Sequence, residues 1–280
     1  MKEHNCKSYY LGLYEKSMPN NLSICEKLSA GKAAGFDFME ISIDENDEKL
    51  ARLDMSAEER KNLVDAMAET GMPIRTMCLS GHRRFPIGSA DPAIAARGME
   101  MMRKAIQLAF DLGIRIIQLA GYDVYYEEST PETRARFAEN LKISVEMAAA
   151  RGVILAFETM ETEFMNTVGK AMEHVTSVNS PYLQVYPDLG NLTNAAKTYN
   201  QPVLQDIKTG QGHIVAMHLK ETVPGKFREI PFGTGHVDFK SAVDFVTNMG
   251  VRFFVGEFWD AGGDWNLILK QTNSFLREKF

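Results

Sequence analysis

The feature that most constrains the fold is an alternation, repeated eight times, between a short apolar segment and a longer segment with helical spacing of apolar residues. The short segments are nearly continuous in apolar residues, which is typical of strands buried on both faces of a parallel sheet. Several of the longer segments begin near proline or stop at glycine, as helices do. Eight strand–helix pairs in 280 residues predict a (β/α)8 barrel that spans residues 1–280 as a single domain.

The boundaries follow from the hydrophobic pattern and the helix-stop residues. The predicted strands cover residues 8–13, 36–43, 74–79, 114–120, 153–158, 183–188, 214–220 and 253–257. The predicted helices cover residues 22–34, 56–70, 92–112, 131–150, 166–178, 202–209, 238–249 and 265–279. A doubly wound open sheet also alternates in this way, but it usually needs fewer pairs at this length, and no predicted strand is followed by a G-x-G-x-x-G turn.

Composition limits the classes of binding partner and the cellular compartments that we expect for this chain. The net charge of -6 gives no general attraction to nucleic acid, and no apolar run approaches the roughly 20 residues of a membrane span. The polar start of the chain has no secretory pattern, which favours a cytoplasmic protein. Cys6, Cys25 and Cys78 are odd in number and widely spaced, so we expect three reduced thiols rather than disulfides or a cysteine metal site.

Four polar residues at strand ends form the candidate site. Glu158, Asp188 and Glu257 end three predicted strands, and His218 lies near the exit of a fourth, whereas His213 lies at that strand's entrance and is expected to be structural. Barrels of this kind carry their ligand sites at the carboxyl ends of the strands. Three carboxylates and one imidazole suit a divalent metal such as Zn, Mn or Co, which polarises a bound carbonyl. Taken singly, each acid is more often a helix cap or a solvated loop residue.

Basic residues near the same edge are candidates for binding a substrate phosphate. His82, Arg83 and Arg84 follow the third strand, and Lys220 shares a strand face with His218. Arginine offers a planar fork for anions, but basic residues in loops are as often simply solvated. The stretch 233–236 is either a backbone phosphate cradle or a plain turn.

Several stretches resemble the bacterial L-ribulose-5-phosphate 3-epimerases, also called L-xylulose-5-phosphate 3-epimerases, of the xylose isomerase-like TIM barrels. The similarity covers nearly the whole chain. The stretches that carry it are GLYEK at 12–16, FDFME at 36–40, CLSGHRRFP at 78–86, QLAGYDVYY at 118–126, YPDLGNL at 186–192 and HLK at 218–220.

The resemblance implies a metal-dependent isomerase that interconverts L-xylulose 5-phosphate and L-ribulose 5-phosphate in cytoplasmic L-ascorbate and related pentose catabolism. By that resemblance Glu158, Asp188, His218 and Glu257 fall on the metal-ligand positions. Glu158 and Glu257 would also exchange the C3 proton, through an enediolate intermediate. Asn191 stands where related sugar epimerases often carry histidine, which changes a contact to a substrate hydroxyl. A homodimer is expected from the resemblance and from the frequency of symmetric dimers.

Three alternatives remain at this point. An aldose–ketose isomerase would share the barrel, the metal and the enediolate, but would move hydrogen between C1 and C2. A non-catalytic sugar-phosphate binding protein would have no need of all four ligand-type residues. A metal-dependent abasic-site nuclease is disfavoured by the acidic charge balance.

Overall fold

The computed structural model describes residues 7–260 and 262–280, so Cys6 lies outside the described residues. Strands and helices alternate along the chain as predicted. The strands are β1 Tyr10–Tyr14, β2 Phe38–Ile43, β3 Ile74–Leu79, β4 Ile116–Ala120, β5 Ile154–Glu158, β6 Leu183–Val185, β7 Met217–Leu219 and β8 Phe253–Gly256. The helices are α1 Ile24–Ala33, α2 Asp47–Ala51, α3 Ala57–Thr70, α4 Pro92–Leu112, α5 Pro131–Ala149, α6 Val168–Val178, α7 Leu189–Tyr199, α8 Val203–Thr209, α9 Phe239–Asn248 and α10 Trp265–Arg277.

All eight strands belong to one parallel sheet in the order β6-β5-β4-β3-β2-β1-β8-β7. Since β1 pairs with β8, the first and last strands of the chain are neighbours. The remaining gap, between β6 and β7, is bridged by the pairs Val185–Ile214 and Asp188–His218. The predicted (β/α)8 barrel is therefore confirmed, and its carboxyl ends meet at one mouth.

Apolar side chains pack in two layers, as a barrel surrounded by helices requires. One group, which includes Tyr14, Phe38 and Tyr186, fills the barrel interior. A larger group lies between the strands and the surrounding helices. Gly12 is needed for the inner layer, because a Cβ there would lie 2.4 Å from the Phe38 ring.

The predicted signals for helix ends are confirmed at several positions. Ser56 Oγ accepts from the Glu59 backbone amide at 3.2 Å, and the Glu59 carboxylate accepts from the Ser56 amide at 2.7 Å, which caps α3. Gly71 and Gly113 end α3 and α4 with left-handed φ angles of 61° and 73°. Among the described residues, no helix combines the length and the apolar character needed to cross a membrane.

The region between β6 and β7 departs from the prediction. We predicted one weak helix at residues 202–209, but α7 precedes it and begins directly after Asp188. Gly190 and Asn191 lower its intrinsic helix propensity. The Asp188 carboxylate compensates by accepting from the Asn191 amide at 2.6 Å. Glycine is required at 190 because a Cβ there would lie 2.7 Å from the Lys220 carbonyl oxygen.

Candidate metal centre and active site

The structure brings the four strand-end residues together at the mouth of the barrel. Glu158 is the last residue of β5, and Glu257 directly follows β8. His218 is the middle residue of β7, and Asp188 caps α7 three residues beyond β6. All four are buried, and one ligand atom from each lies within 4.8 Å of the others. Four separate segments therefore meet in one cluster, as the strand ends predicted.

Glu40, in the middle of β2, fixes the orientation of His218. A carboxylate only accepts hydrogen bonds, so His218 Nε2–H donates to Glu40 Oε1, at 2.6 Å. Glu40 Oε2 accepts from Thr76 Oγ1 at 2.7 Å and from the Tyr186 hydroxyl at 2.9 Å. The other ring nitrogen, Nδ1, faces Glu158 Oε1 at 3.1 Å and Glu257 Oε2 at 3.4 Å. This is the carboxylate–histidine arrangement that orients metal-binding histidines.

Two buried carboxylate oxygens in the cluster lie beside the Lys220 ammonium and accept no regular hydrogen bond from the described part of the chain. Asp188 Oδ2 and Glu257 Oε2 are buried, and neither accepts a hydrogen bond of normal geometry from the described residues. Each lies 3.3 Å from Lys220 Nζ. Glu158 is held from the other side, because its Oε2 accepts from Gln118 Nε2. Asp188 Oδ2 and Glu257 Oε2 therefore lie near the Lys220 ammonium and keep unused capacity to bind a further cation.

Burial and neighbouring charges set the protonation of the cluster. Burial, reinforced by the Glu257 carboxylate, raises the pKa of Glu158, and burial raises the pKa of Asp188 well above its ordinary value. Burial would raise the pKa of Glu257 too, but the Lys220 ammonium and His218 hold it well below its usual range. Burial would lower the pKa of His218, but the carboxylates of Glu40 and Glu257 raise it well above the ordinary value. The acids differ in proton affinity because of their surroundings.

The residues fit a divalent metal. A cation bound at about 2.0–2.2 Å from each ligand keeps its ligand atoms within roughly 4.4 Å of one another. The observed limit of 4.8 Å needs only a small inward adjustment. Carboxylate and imidazole donors suit Zn, Mn and Co, and a positive charge would favour the ionised form of the buried acids. The predicted ligand set Glu158, Asp188, His218 and Glu257 therefore has the donors, spacing and orphaned oxygens that such an ion needs.

A cavity of about 210 Å³ opens onto the cluster, with Glu158 and Glu257 in its wall. It also exposes Lys16, Cys78 and Asn191. A second cavity of about 480 Å³ is lined mainly by apolar side chains and shares Lys220, Glu257 and Trp259 with the first. The carboxylates therefore face an enclosed space beside an apolar wall, as small-molecule sites usually do.

The predicted binding residues are divided between this cavity and other places. Arg83, Lys220 and Asn191 line it. His82 is buried against α4, where its Nε2 lies 3.2 Å from the Gly98 carbonyl oxygen, and burial lowers its pKa to about 4. Arg84 is exposed and pairs with Asp47 at 2.7 Å. The geometry therefore favours a substrate contact for the first three and leaves His82 and Arg84 away from the site.

Lys220 and Asn191 make contacts that differ from those predicted for them. Lys220 Nζ lies 3.3 Å from both Asp188 Oδ2 and Glu257 Oε2, so it belongs to the carboxylate cluster rather than to a separate group of basic residues. Asn191 donates to the Thr159 carbonyl at 2.7 Å, while its buried Oδ1 accepts no hydrogen bond from the described residues. Asn191 lines the candidate cavity, so this oxygen is an acceptor with unused hydrogen-bonding capacity at the site.

The glycine-containing turn at 233–236 is held by Glu221. Its carboxylate accepts from the Gly233 amide at 3.0 Å and from the Val237 amide at 3.2 Å. The His236 amide donates to the Thr222 carbonyl at 3.0 Å. These amides are occupied within the loop, which favours the plain turn over the phosphate cradle. His213 Nδ1 lies 3.0 Å from Gln184 Oε1, consistent with the structural role expected for it.

The chain is similar to known sugar epimerases. The model of the xylose isomerase-like TIM barrel family matches residues 28–279. L-ribulose-5-phosphate 3-epimerase UlaE from Escherichia coli O139:H28 is 50% identical over 244 residues, which cover 87% of this chain and 84% of the relative. UlaE from Salmonella paratyphi A matches with the same identity and coverage.

Solved structures share the fold. A structure of L-ribulose 3-epimerase superposes with a TM-score of 0.78 at 23% identity, covering 97% of this chain and 94% of that one. D-allulose 3-epimerase from Methylomonas sp. gives a TM-score of 0.78 at 18% identity, with 97% of each chain covered. The sequence relatives make the protein an isomerase of the epimerase kind, as the resemblance implied. With its barrel, its strand-end cluster and a family match over residues 28–279, the chain belongs to the xylose isomerase-like TIM barrel family.

Proposed function

We propose that this protein is a metal-dependent sugar 3-epimerase that interconverts L-xylulose 5-phosphate and L-ribulose 5-phosphate. The observation that carries the proposal is the pair Glu158 and Glu257, two buried carboxylates from separate strands that face one cavity beside His218. The sugar part of the proposal is supported by the epimerase relatives, and the phosphate part by UlaE, which matches at 50% identity.

Epimerisation at C3 of a 2-ketose removes the proton next to the C2 carbonyl and returns a proton to the opposite face. Two carboxylates are needed, one as base and one as acid. Burial would raise the pKa of Glu257, but the Lys220 ammonium lowers it, whereas burial and the Glu257 carboxylate raise the pKa of Glu158. In one direction Glu257 therefore removes the C3 proton and Glu158 supplies its replacement, and in the other direction they exchange roles.

The remaining residues position the reactants. Glu158, Asp188, His218 and Glu257 would hold the divalent ion, for which we propose Zn, Mn or Co. When bound, the ion supplies positive charge that stabilises the negative charge developing beside the C2 carbonyl. Gln118 orients Glu158 through the hydrogen bond to its Oε2, and Asn191 offers its Oδ1 to a substrate hydroxyl. The homodimer, the cytoplasmic location and the role in L-ascorbate catabolism stay predictions.

The test is proton NMR of the metal-loaded protein with L-xylulose 5-phosphate in heavy water. We expect deuterium at C3 together with L-ribulose 5-phosphate. Glu158→Gln and Glu257→Gln should each remove turnover because a carboxamide cannot exchange the proton, while Glu69→Gln, an exposed change on α3, should have no effect. Deuterium at C1 with an aldose product would identify an aldose–ketose isomerase, and near-normal turnover in either site variant would refute the assigned roles.

A further inference from the structure

Lys220 places an ammonium group directly beside the candidate metal centre. The residue follows β7, two positions after His218, and its side chain is 6% exposed. Its Nζ lies 3.3 Å from Asp188 Oδ2 and 3.3 Å from Glu257 Oε2. Burial of a lysine is costly unless its charge is paired. The partners that pair it are two of the four proposed metal ligands.

The two oxygens that contact Lys220 are the ones that face the histidine ligand. Asp188 Oδ2 lies 3.9 Å and Glu257 Oε2 lies 3.4 Å from His218 Nδ1. Neither oxygen accepts a regular hydrogen bond from the described residues. The other oxygen of Asp188, Oδ1, is already occupied, since it accepts from the Asn191 amide at 2.6 Å. An ion held by His218 and these acids would therefore bind the same two oxygens as the ammonium.

The fold fixes the main chain of Lys220 beside the centre. A Cβ at Gly190 would lie 2.7 Å from the Lys220 carbonyl oxygen, so the start of α7 packs directly against that carbonyl. The Thr222 hydroxyl donates to the Gly190 carbonyl at 3.1 Å and joins the same two segments again. The side chain is less constrained, because its flexible stem places Nζ 6.0 Å from the centre of the Trp259 ring. The ammonium can shift from the carboxylates towards the indole, but its charge stays near the centre.

The charge balance of the cluster shows what this ammonium does. Among the described residues, Lys220 is the one lysine or arginine that pairs with any of the four proposed ligands. It offsets part of the negative charge of the buried carboxylates Glu158, Asp188 and Glu257. A bound divalent ion would offset more of that charge, but it would have the ammonium as a like-charged neighbour. Salt screens buried charges only weakly, so the ammonium and the ion oppose each other.

We propose that Lys220 is an internal counter-ion of the metal centre. It binds the same two carboxylate oxygens as the metal, and it thereby stabilises the metal-free protein and weakens metal binding. This inference rests on the metal of the proposed function but not on the sugar substrate. The sequence alone placed Lys220 among the candidates for binding phosphate, because only the folded chain brings its Nζ to Asp188 and Glu257.

The test compares the affinities of the wild type, Lys220→Met and Lys61→Met for Zn²⁺ and for Mn²⁺. The metal-free proteins are titrated in a calorimeter in competition with a chelator of known affinity. Lys220→Met keeps most of the apolar stem and should bind both ions at least ten-fold more tightly, because it lacks a buried like charge that also competes for two oxygens. Lys61→Met removes an exposed lysine of α3 and changes the net charge equally, so it is the matched control and should bind as the wild type does.

Thermal unfolding gives a second readout. Without metal, Lys220→Met should melt roughly 6 °C or more below the wild type, because buried acids lose their counter-ion. Added Zn²⁺ should raise the Tm of this variant by more than it raises that of the wild type, since a tighter site gains more from the same metal concentration. A lysine that only held the ligands in position would change the metal affinity in the opposite direction. Unchanged or weaker metal binding in Lys220→Met would therefore overturn the inference.

Lys220→Gln replaces the methionine variant if that protein does not fold without metal. Glutamine keeps a hydrogen-bond donor for the two oxygens but lacks the charge, so it should also tighten metal binding. Unchanged or weaker binding in this variant would overturn the inference equally.

Epimerisation of L-xylulose 5-phosphate by the metal-loaded wild type separates this inference from the proposed function. If the Lys220 variants bind metal more tightly but the wild type shows no epimerisation, the counter-ion stands and the proposed reaction fails. If the wild type epimerises the substrate and the variants bind metal no more tightly, the reaction stands and the counter-ion fails. If neither the wild type nor the variants bind Zn²⁺ or Mn²⁺, both proposals fail.

Discussion

Replacing Glu40 by glutamine tests whether His218 is held as a metal ligand. Glu40 is fully buried and accepts three hydrogen bonds, from His218, Thr76 and Tyr186, at 2.6, 2.7 and 2.9 Å. Glutamine keeps the shape of the side chain and one oxygen for His218. It places an NH2 group opposite the hydroxyls of Thr76 and Tyr186, which now donate to a carboxylate oxygen and would have to turn and accept.

The expected cost falls mainly on metal binding. Loss of a carboxylate partner of a metal-binding histidine weakens metal affinity by about 10–100-fold, or about 1.4–2.7 kcal/mol. Glu40→Gln should lie in the upper half of that range, because the hydrogen bond from His218 is short and buried and both hydroxyls are disturbed as well. Thr76→Val removes only one hydroxyl donor and leaves the carboxylate, so its effect should be less than ten-fold.

Titration of the metal-free protein with Zn²⁺ and with Mn²⁺ in a calorimeter measures these affinities, and circular dichroism confirms that each variant is folded. The competing reading is a buried ion pair between Glu40 and His218 that serves stability alone. In that case Glu40→Gln would lower the free energy of unfolding and leave the metal affinity at its wild-type value. That result would refute the assignment of His218 Nδ1 as a ligand.

Two other predictions concern stability. Glu15 is fully buried with Lys49 and Arg52, so Glu15→Gln should lower the free energy of unfolding by about 3–5 kcal/mol in urea titrations, whereas the exposed change Glu69→Gln should not. Burial would raise the pKa of Glu15, but Arg52 and Lys49 lower it. The stabilisation by the Glu15 carboxylate is therefore complete above its unfolded pKa near about 4.3 and is lost as pH falls through its folded pKa. The difference in unfolding free energy between wild type and Glu15→Gln should shrink below about pH 4, and a difference that stays constant with pH would contradict this. A metal ion present at about 100 times its Kd stabilises the folded protein by about 2.7 kcal/mol. Chelating that metal should therefore lower Tm by roughly 5–10 °C in scanning calorimetry. Asp188→Asn should show a much smaller shift on chelation, and an equal shift would mean that the stabilising ion binds elsewhere.

The fold was predictable because most of its strands and helices carry the same local signals in the sequence. Continuous apolar strands and capped helices identify a parallel barrel without any long-range information. The helix at Leu189–Tyr199 was missed for a physical reason, since its weak local propensity is offset by the Asp188 cap and by packing that requires glycine at 190. The predicted strands 183–188 and 214–220 are longer than the observed β6 and β7. β6 ends before Pro187, which has no amide hydrogen to donate, and β7 starts only at Met217.

The four clustered residues were predictable from strand ends, but the residues that support them were not recognised. Glu40 and Gln118 lie inside apolar strands. A polar residue at such a position indicates a polar partner in the barrel interior, so the sequence did carry a signal for these two residues. The barrel interior places both side chains against the cluster. Arg228 and Glu161 lie in loops, where charged residues are ordinary, so only the folded structure shows that both line the candidate cavity.

The charge of the buried cluster connects the proposed metal to the proposed reaction. Glu40, Glu158, Asp188 and Glu257 are four buried acids, while Lys220 is the one lysine in contact with Asp188 and Glu257 among the described residues. With His218 neutral, as a ligand must be, the ionised acids and Lys220 leave a net charge of about minus three, which is too costly to bury unpaired. A bound divalent ion would reduce it to about minus one, and one proton shared by Glu158 and Glu257 would neutralise the remaining charge. One carboxylic acid and one carboxylate on the same cavity are what a C3 epimerisation needs, so the electrostatic balance of the folded site favours the protonation state in which the proposed reaction begins.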